Sequence, residues 1–136
     1  MKDFLLYLWQ LPQNLLGLLL VKILGAEFFT TRYIRRGNNQ IARIYTTPKI
    51  GGGVSLGRYI IINEHLANNS RTKAHESGHC VQSIYLGWLY LIVIGIPSGI
   101  WCWVYDNFDI ETDYYSFYTE KWADRIAGVK RSKQTK

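Results

Sequence analysis

Two histidines and a glutamate stand in the spacing H-E-x-x-H near the middle of the chain, at His75, Glu76 and His79. A step of four residues advances about one helical turn, so on a helix both imidazoles leave the same face and converge on one ion. The motif therefore predicts two metal ligands on one helix. A third ligand has to come from elsewhere in the chain.

The helix that must carry this motif is bracketed by capping residues. Asn68, Asn69 and Ser70 are N-cap candidates before it and Gly87 is a C-cap candidate after it, which predicts a helix over 70–87. Gly78 lies in the middle of that helix and costs roughly 1 kcal/mol relative to alanine. Its presence calls for a structural reason, such as the close approach of another backbone.

A second pair of chemically useful residues, Glu120 and Asp124, stands four apart near the end of the chain. Asp113 is an N-cap candidate and Gly128 a C-cap candidate, which predicts a helix over 113–128. Both carboxylates then share one face of that helix. Their mutual repulsion would be relieved by a metal ion and its histidine ligands.

Zinc in a hydrolytic site typically keeps three protein ligands and one open position for water. Two histidines and a glutamate from a downstream helix are a known set, so we predict one zinc ion per chain held by His75, His79 and Glu120. Ligating histidines usually donate their second N–H to a carboxylate or carbonyl group. Asp124, one turn beyond Glu120, is predicted to accept such a hydrogen bond.

Glu76 is the predicted general base of this site. Zinc lowers the pKa of a bound water to about 7, and Glu76 would take the proton of that water as it attacks a peptide carbonyl. Glu76 would then pass the proton to the leaving amine. A further hydrogen-bond donor could stabilise the oxyanion. The sequence offers four candidates and does not distinguish between them: Tyr114, Tyr115, Tyr118 and His65.

The two motifs together, H-E-S-G-H at 75–79 and E-K-W-A-D at 120–124, resemble the gluzincin group of zinc metallopeptidases. The E-x-x-A-D form, followed here by Arg125, is similar to that of the membrane-linked CAAX prenyl and heat-shock proteases, and the length is similar to that of the minimal single-lobed gluzincins. The resemblance covers roughly residues 55–128. It implies a zinc peptidase with the same assignment of ligands, base and hydrogen-bonding partner.

The resemblance also implies a β-sheet beside the active-site helix, with an edge strand that holds the substrate in extended form. The stretch 55–63, S-L-G-R-Y-I-I-I-N, has the strongest strand propensity in the chain and is predicted to be that strand. Its first five residues are the predicted substrate-binding edge: Ser55, Leu56, Gly57, Arg58 and Tyr59.

The sheet should contain at least two further strands. Residues 28–36 and 41–47 have strand-like periodicity and are joined by Gly37-Asn38-Asn39, which predicts a β-hairpin. The expected fold is therefore α+β and zincin-like, with a small sheet of three or four strands, antiparallel or mixed. This sheet packs on the active-site helix and the glutamate helix, with an apolar N-terminal helix before it.

Two apolar stretches, 4–24 and 88–104, are candidates for contact with a membrane. Each is interrupted by proline, glycine or amide residues, and the second is shorter than the roughly 20 residues of a spanning helix. Aromatic residues cluster at the ends of the second stretch, as they do at membrane interfaces. Core packing and an interfacial segment are nearly equal alternatives.

The composition limits the other classes of function and the cellular location that we expect. The net charge of +6 comes mainly from Arg32–Arg36 and from the tail 129–136, and no basic stripe with interleaved aromatics indicates nucleic-acid binding. Two cysteines, Cys80 and Cys102, indicate neither a disulfide framework nor a zinc ribbon. No cleavable secretion signal is recognised, so we expect a cytoplasmic protein or one on the cytoplasmic side of a membrane.

The sequence thus predicts one zincin-like domain over 1–136. Its parts are an apolar helical segment (1–27), a sheet (28–63), the active-site helix (70–87), an apolar segment (88–105), the glutamate helix (113–128) and a basic tail (129–136). The predicted function is zinc-dependent hydrolysis of a peptide or protein, with a membrane surface as a second partner. The alternative is a zinc-stabilised or membrane-associated interaction module without catalysis. The oligomeric state is left open.

Overall fold

The computed structural model describes residues 1–34 and 40–132 and has an α+β architecture. Helices α1 (Lys2–Trp9) and α2 (Leu11–Leu24) precede four strands, which are β1 (Glu27–Ile34), β2 (Gln40–Thr47), β3 (Gly53–Leu56) and β4 (Tyr59–Asn63). Helices α3 (Ser70–Leu86), α4 (Ile96–Asn107) and α5 (Tyr118–Ala127) follow. A π-helical turn, Leu91–Gly95, leads into α4, and a 3-10 turn, Tyr114–Ser116, precedes α5.

The four strands form one mixed sheet in the order β1-β2-β4-β3. The pairs β1–β2 and β3–β4 are antiparallel, whereas β2 and β4 are parallel. Strands β1 and β3 are therefore the two edges. The α+β class and the small sheet are confirmed, in the four-stranded mixed form, while the predicted turn Gly37-Asn38-Asn39 lies outside the described residues.

The prediction of one strand over 55–63 is wrong, because the chain reverses direction at Gly57 and Arg58. Leu56 pairs with Tyr59 across this turn, and Gly57 has a φ of 63°, in the left-handed region that glycine adopts without a steric penalty. Ser55 and Leu56 thus lie on the edge strand β3. Tyr59 lies on β4, which is inside the sheet between β2 and β3.

Helices cover both faces of the sheet. Ile60 and Ile62 pack with Val81 of α3, whereas Ile61, which points to the opposite face, packs with Val21 of α2. This alternation is the period of two expected of a strand that is buried on both sides. The motif helix α3 is therefore held against a rigid sheet.

Helix α3 follows the predicted limits closely. The side chain of Asn69 accepts a hydrogen bond from the amide of Thr72 at 3.0 Å, and Gly87 ends the helix. A Cβ atom at Gly78 would lie 2.2 Å from the carbonyl oxygen of Ala123. The expected close approach of another backbone at Gly78 is confirmed, and that backbone belongs to α5.

Helix α5 begins at Tyr118 rather than at Asp113. The Asp113 side chain does accept from the amide of Tyr115, at 3.1 Å, but it caps the 3-10 turn Tyr114–Ser116. Phe117 then has extended backbone angles (φ −62°, ψ 141°), which separate this turn from α5. Glu120 consequently lies in the first turn of the helix.

The first apolar stretch forms a bent pair of helices, and most of the second forms one arm of another bent pair. Helices α1 and α2 meet at 81°, and the segment Leu91–Asn107 leaves the segment Ser70–Leu89 at 120°. Among the described residues no single helix has the length and apolar character needed to cross a bilayer, while each bent pair taken together satisfies that test of length and composition.

Candidate metal centre

The side chains of His75, His79 and Glu120 converge in the interior, where α3 and α5 touch. Glu120 Oε2 lies 2.9 Å from His75 Nε2 and 3.2 Å from His79 Nε2. One ligand atom from each residue lies within 4.8 Å of the other two, and all three side chains are buried. This group could therefore bind a metal ion.

The second nitrogen of each imidazole is held by a hydrogen-bond acceptor. His75 Nδ1 lies 2.7 Å from Asp124 Oδ1, and His79 Nδ1 lies 2.7 Å from Gln82 Oε1. The amide nitrogen of Gln82 donates to the Thr119 carbonyl at 3.0 Å, which fixes the orientation of the amide. Acceptors at both Nδ1 atoms favour the tautomer in which Nδ1 carries the proton and Nε2 presents a lone pair.

Three acceptor atoms consequently meet at one buried point, because Glu120 Oε2 is an acceptor as well. Such an arrangement requires a cation, either a proton or a metal ion. Two imidazole nitrogens and a carboxylate oxygen are a ligand set that suits zinc. The donors present in this structure therefore fit a metal ion.

The remaining oxygen of Glu120 is fixed by two hydroxyl groups. Ser98, on α4, donates to Oε1 at 2.6 Å, and Thr119 lies 3.2 Å from the same atom. Oε2 is thereby turned toward the histidines. Helix α4 thus contributes to the orientation of a residue on α5.

Asp124 is oriented by a residue from the C-terminal segment. Arg131 donates to Asp124 through Nε at 2.7 Å and through Nη2 at 3.2 Å. The same guanidinium lies 3.3 Å above the ring centre of Tyr115, whose edge meets the His75 ring. Arg131, which lies in the segment predicted to be a basic tail, is thus part of this centre.

The buried charges shift the pKa values of their neighbours. Burial alone would lower the pKa of His75, but its hydrogen bonds to Asp124 and Glu120 outweigh burial and raise the pKa to about 9. Burial would raise the pKa of Glu120, yet its short contacts with His75 and His79 outweigh burial and hold the pKa well below its usual range. Without a metal, a proton on His75 supplies the required cation.

Glu76 lies beside the edge strand. It is 4% exposed, and the Ser55 hydroxyl donates to its Oε2 at 2.7 Å. A Cβ atom at Gly53 would lie 2.5 Å from Glu76 Oε1, so the carboxylate packs directly against the glycine backbone of β3. The residue predicted as general base is thus next to both the ligand cluster and the sheet edge.

A cavity of about 1040 Å³ connects these residues. Its walls come from β3 and the glycines before it, from α3, from α4 and from the turn after Asp113. Ser55, Leu56, Tyr114 and Tyr115 lie on these walls, whereas Gly57, Arg58 and Tyr59 do not. The substrate edge predicted over 55–59 is therefore present only in its first two residues.

Two of the four predicted oxyanion donors are not brought to the site. The Tyr118 hydroxyl donates to the carbonyl of Val93 on the surface, and the His65 side chain is 85% exposed. Tyr114 and Tyr115 remain candidates. Burial raises the pKa of both hydroxyls, so each keeps its proton as a donor at neutral pH.

Gln82, Ser98, Thr119 and Arg131 belong to the centre and were missed by sequence reasoning. Gln82 carries a detectable signal, because it stands three residues after His79 and so shares its helical face. Ser98 and Arg131 lie 22 residues before and 7 residues after the carboxylates that they contact, with no motif to connect them.

Comparisons of the chain with models of protein families, with curated proteins and with solved structures find no match. What this centre does must therefore be inferred from its own residues.

Proposed function

We propose that this protein is a zinc-dependent peptidase with a gluzincin-type, zincin-like site. The observation that carries the proposal is the meeting of three acceptor atoms, from His75, His79 and Glu120, beside a buried carboxylate and an open sheet edge. A zinc ion held there would supply a Lewis acid and a water of lowered pKa. All other tasks belong to residues of the chain.

Glu76 is the residue that moves the proton. Its Oε2 accepts from Ser55, which anchors the carboxylate, and its Oε1 faces Gly53 at the edge strand. This oxygen takes the proton of the attacking water and returns it to the leaving amine. Anchoring by Ser55 keeps the proton acceptor in one orientation during both transfers.

Strand β3 is the proposed holder of the substrate main chain. The Ser55 carbonyl turns away from β4 and accepts from the Tyr90 hydroxyl at 2.8 Å. Along an antiparallel strand, every second residue points its backbone amide and carbonyl away from the paired strand. Gly53 stands two residues before Ser55, so its amide and carbonyl also point away from β4. An extended peptide can therefore pair with Gly53 by β-augmentation, which brings its peptide bond next to Glu76.

The size of the cavity supports an open catalytic site over a closed structural one. Structural zinc sites surround the ion with four protein ligands, whereas catalytic sites leave one position for water. In the described part of the chain the cluster consists of three candidate ligands, and it adjoins about 1040 Å³ of space.

The proposal is tested by measuring metal content and hydrolysis on the same preparations. We expect about one zinc per chain and cleavage of a quenched fluorescent peptide library. Glu76→Gln should keep the metal and lose roughly 10²–10⁴-fold in rate, because general base catalysis contributes that much. Glu120→Ala should lose both the metal and the activity.

The matched control is Glu64→Gln, which makes the same change at an exposed glutamate outside the cavity and should leave both readings unchanged. Hydrolysis at the wild-type rate by metal-loaded Glu76→Gln would refute the mechanism. Wild-type protein that binds no zinc would refute the proposal itself.

A further inference from the structure

The two N-terminal helices bury several polar side chains and expose many apolar ones. Gln10, Gln13 and Asn14 are completely buried, while apolar side chains of the same helices face outward. These exposed side chains include Phe4, Leu8, Leu15, Leu16, Leu19 and Ile23. A helix in water normally buries the apolar face and exposes the polar one.

The buried amides act as internal connections. Gln10 donates to the Gln40 side chain, and Gln13 donates to Ser83 Oγ at 2.9 Å and to the Gly87 carbonyl at 2.8 Å. Polar side chains that bond between elements while leucines face outward are typical of helices packed within lipid. The pattern therefore indicates an apolar surrounding for α1 and α2.

The segment from Trp88 to Trp103 shows a second outward stripe. Exposed apolar side chains recur at steps of three or four residues along it, at Trp88, Leu89, Ile92, Ile96, Ile100 and Trp103. No Asp, Glu, Lys or Arg occurs anywhere in residues 81–105 or in residues 4–21. The second stripe is thus free of charge over its whole length, and the first is free of charge as far as Val21.

The two stripes join into one surface. The indole N–H of Trp88 donates to the Leu8 carbonyl, and that of Trp9 donates to the Ile84 carbonyl, each at 2.8 Å. Gly87 lies against the Trp9 ring, where a Cβ atom would collide with it. We call the combined region, the outward side chains of 4–23 and 88–103, the apolar surface.

We propose that the apolar surface is inserted in the apolar layer of a lipid bilayer. Half-exposed leucines, isoleucines and tryptophans on three helices total on the order of 1,000 Å², whereas the largest apolar patch of a typical monomer is about 300–600 Å². A protein partner would require a polar rim with about one hydrogen bond per 100–200 Å². Here the amides that could form such bonds are turned inward.

The flanking residues suit a membrane as well. Lys2 and Lys22 stand at the two ends of the uncharged N-terminal stretch, where they can reach lipid head groups. Trp9, Trp88 and Trp103 lie on the apolar surface and supply the amphipathic rings that favour the interface. The two bent helix pairs that have the length and composition for a membrane are the ones that carry this surface.

Helix α4 stands between this surface and the cavity. Ser98 and Cys102 line the cavity from one side of the helix, and Ile96 and Ile100 are exposed on the other. The candidate metal centre is thus separated from lipid by one helix, a diameter of about 10 Å. Membrane insertion is nevertheless independent of whether the centre hydrolyses peptides.

The test is flotation of the full chain with phosphatidylcholine vesicles. We expect the wild-type protein to float with uncharged vesicles, and Ile96→Glu to lower the partition coefficient by about tenfold or more, because a charge in the apolar layer costs several kcal/mol. Leu19→Glu should do the same from the N-terminal stripe. As a second reading, brominated lipid should quench Trp103 fluorescence.

The matched control is Ile41→Glu, which places the same charge at a comparably exposed isoleucine of β2 outside the apolar surface and should leave partitioning unchanged. The proposal would be overturned if the wild-type protein stayed in the aqueous phase as a dimer and Ile96→Glu dissociated that dimer. The apolar surface would then be an interface with a second copy of the chain. Binding confined to phosphatidylserine vesicles and abolished by salt would overturn it too.

Discussion

Asp124 lies between two hydrogen-bond donors, the imidazole of His75 and the guanidinium of Arg131. Burial would raise its pKa, but the hydrogen bonds from His75 and Arg131 lower it, so the carboxylate stays ionised. An ionised Asp124 holds the proton of His75 on Nδ1 and leaves Nε2 to face Glu120. The orientation of the candidate ligand His75 therefore depends on Asp124, which contacts its Nδ1 and not its Nε2.

Arg131→Ala should weaken metal binding without removing a ligand. We expect zinc affinity to fall about 10–100-fold, the usual effect of losing a group that orients a metal-bound histidine. Arg131→Lys should restore only part of it, because one ammonium cannot reproduce the two hydrogen bonds and the stacking on Tyr115. Competitive titration with a zinc-binding dye measures both variants.

Arg125→Ala is the control for Arg131→Ala. Arg125 is exposed on α5, and its substitution changes the net charge by the same amount. Equal losses of affinity in the two variants would show that net charge, rather than the contact with Asp124, sets the affinity.

The raised pKa of His75 predicts how the stability of the metal-free protein depends on pH. Because the pKa rises from 6.5 to about 9 on folding, the protonated form stabilises the fold. This stabilisation is complete below pH 6.5 and is lost as the pH rises through 9. Its full size is on the order of 3 kcal/mol, which urea unfolding of chelator-treated protein at several pH values should reveal.

His75→Gln should flatten this dependence, since the substituted side chain does not titrate. Metal-free wild-type protein whose stability increases between pH 6.5 and 9 would contradict the prediction. With zinc present the trend should reverse, because the metal competes with the proton and its affinity rises as the proton leaves.

At the scale of helices, the centre depends on the contact between α3 and α5. The backbone of Ala123 fits against Gly78, a position where any side chain atom would collide with its carbonyl group. Glu120 and Asp124 stand three residues before and one residue after Ala123. This single contact therefore sets the distance of both carboxylates from the two histidines.

Gly78→Ala should disrupt the centre through the backbone. Its Cβ would lie 2.2 Å from the Ala123 oxygen, so α5 has to move. We expect a loss of about 1–3 kcal/mol in unfolding free energy, as for overpacked cores, together with at least tenfold weaker zinc binding. Urea unfolding and dye titration measure the two effects.

Gly99→Ala is the control at a second helical glycine. No atom lies within 4 Å of the added Cβ, so this change should stabilise the protein by up to about 1 kcal/mol. If Gly78→Ala behaved in the same way, α5 would not be positioned by the contact at Gly78.

The ends of helices differ in how well the sequence predicts them. Helix α3 has a capping asparagine and a terminal glycine, both of which leave local signals, and its limits were anticipated. The turn at Gly57 was missed because a single glycine inside a strand-like run also fits a continuous strand. The start of α5 was missed because Phe117 leaves the helical region with neither proline nor glycine to mark it.

At the scale of the molecule, the centre brings together residues from distant parts of the chain. His75, Glu76, His79, Glu120 and Asp124 were identified because helical spacing is a local property of the sequence. Ser98 reaches Glu120 only because α4 is folded over α5, and Arg131 reaches Asp124 only because the chain turns after Gly128. Contacts of this kind depend on tertiary structure, which no spacing rule encodes.

The folding of the protein should not depend on the metal. Ile44, Ile60 and Ile62 are packed between the sheet and α3, and Ile126 anchors α5 in the same core, all without a role for the ligands. In the metal-free centre a proton on His75 meets the need for a cation. The fold therefore has both a core and a neutralised site when zinc is removed.

Treatment with a chelator should consequently abolish hydrolysis and lower Tm while leaving the far-ultraviolet circular dichroism spectrum unchanged. Zinc at about 1,000 times its Kd would contribute roughly 4 kcal/mol of stability, and added zinc should restore both Tm and activity. In the His75→Ala, His79→Ala double variant the chelator should have no effect. A wild-type spectrum that collapses on chelation would instead identify a closed structural zinc site, because only such a site is required for the chain to fold.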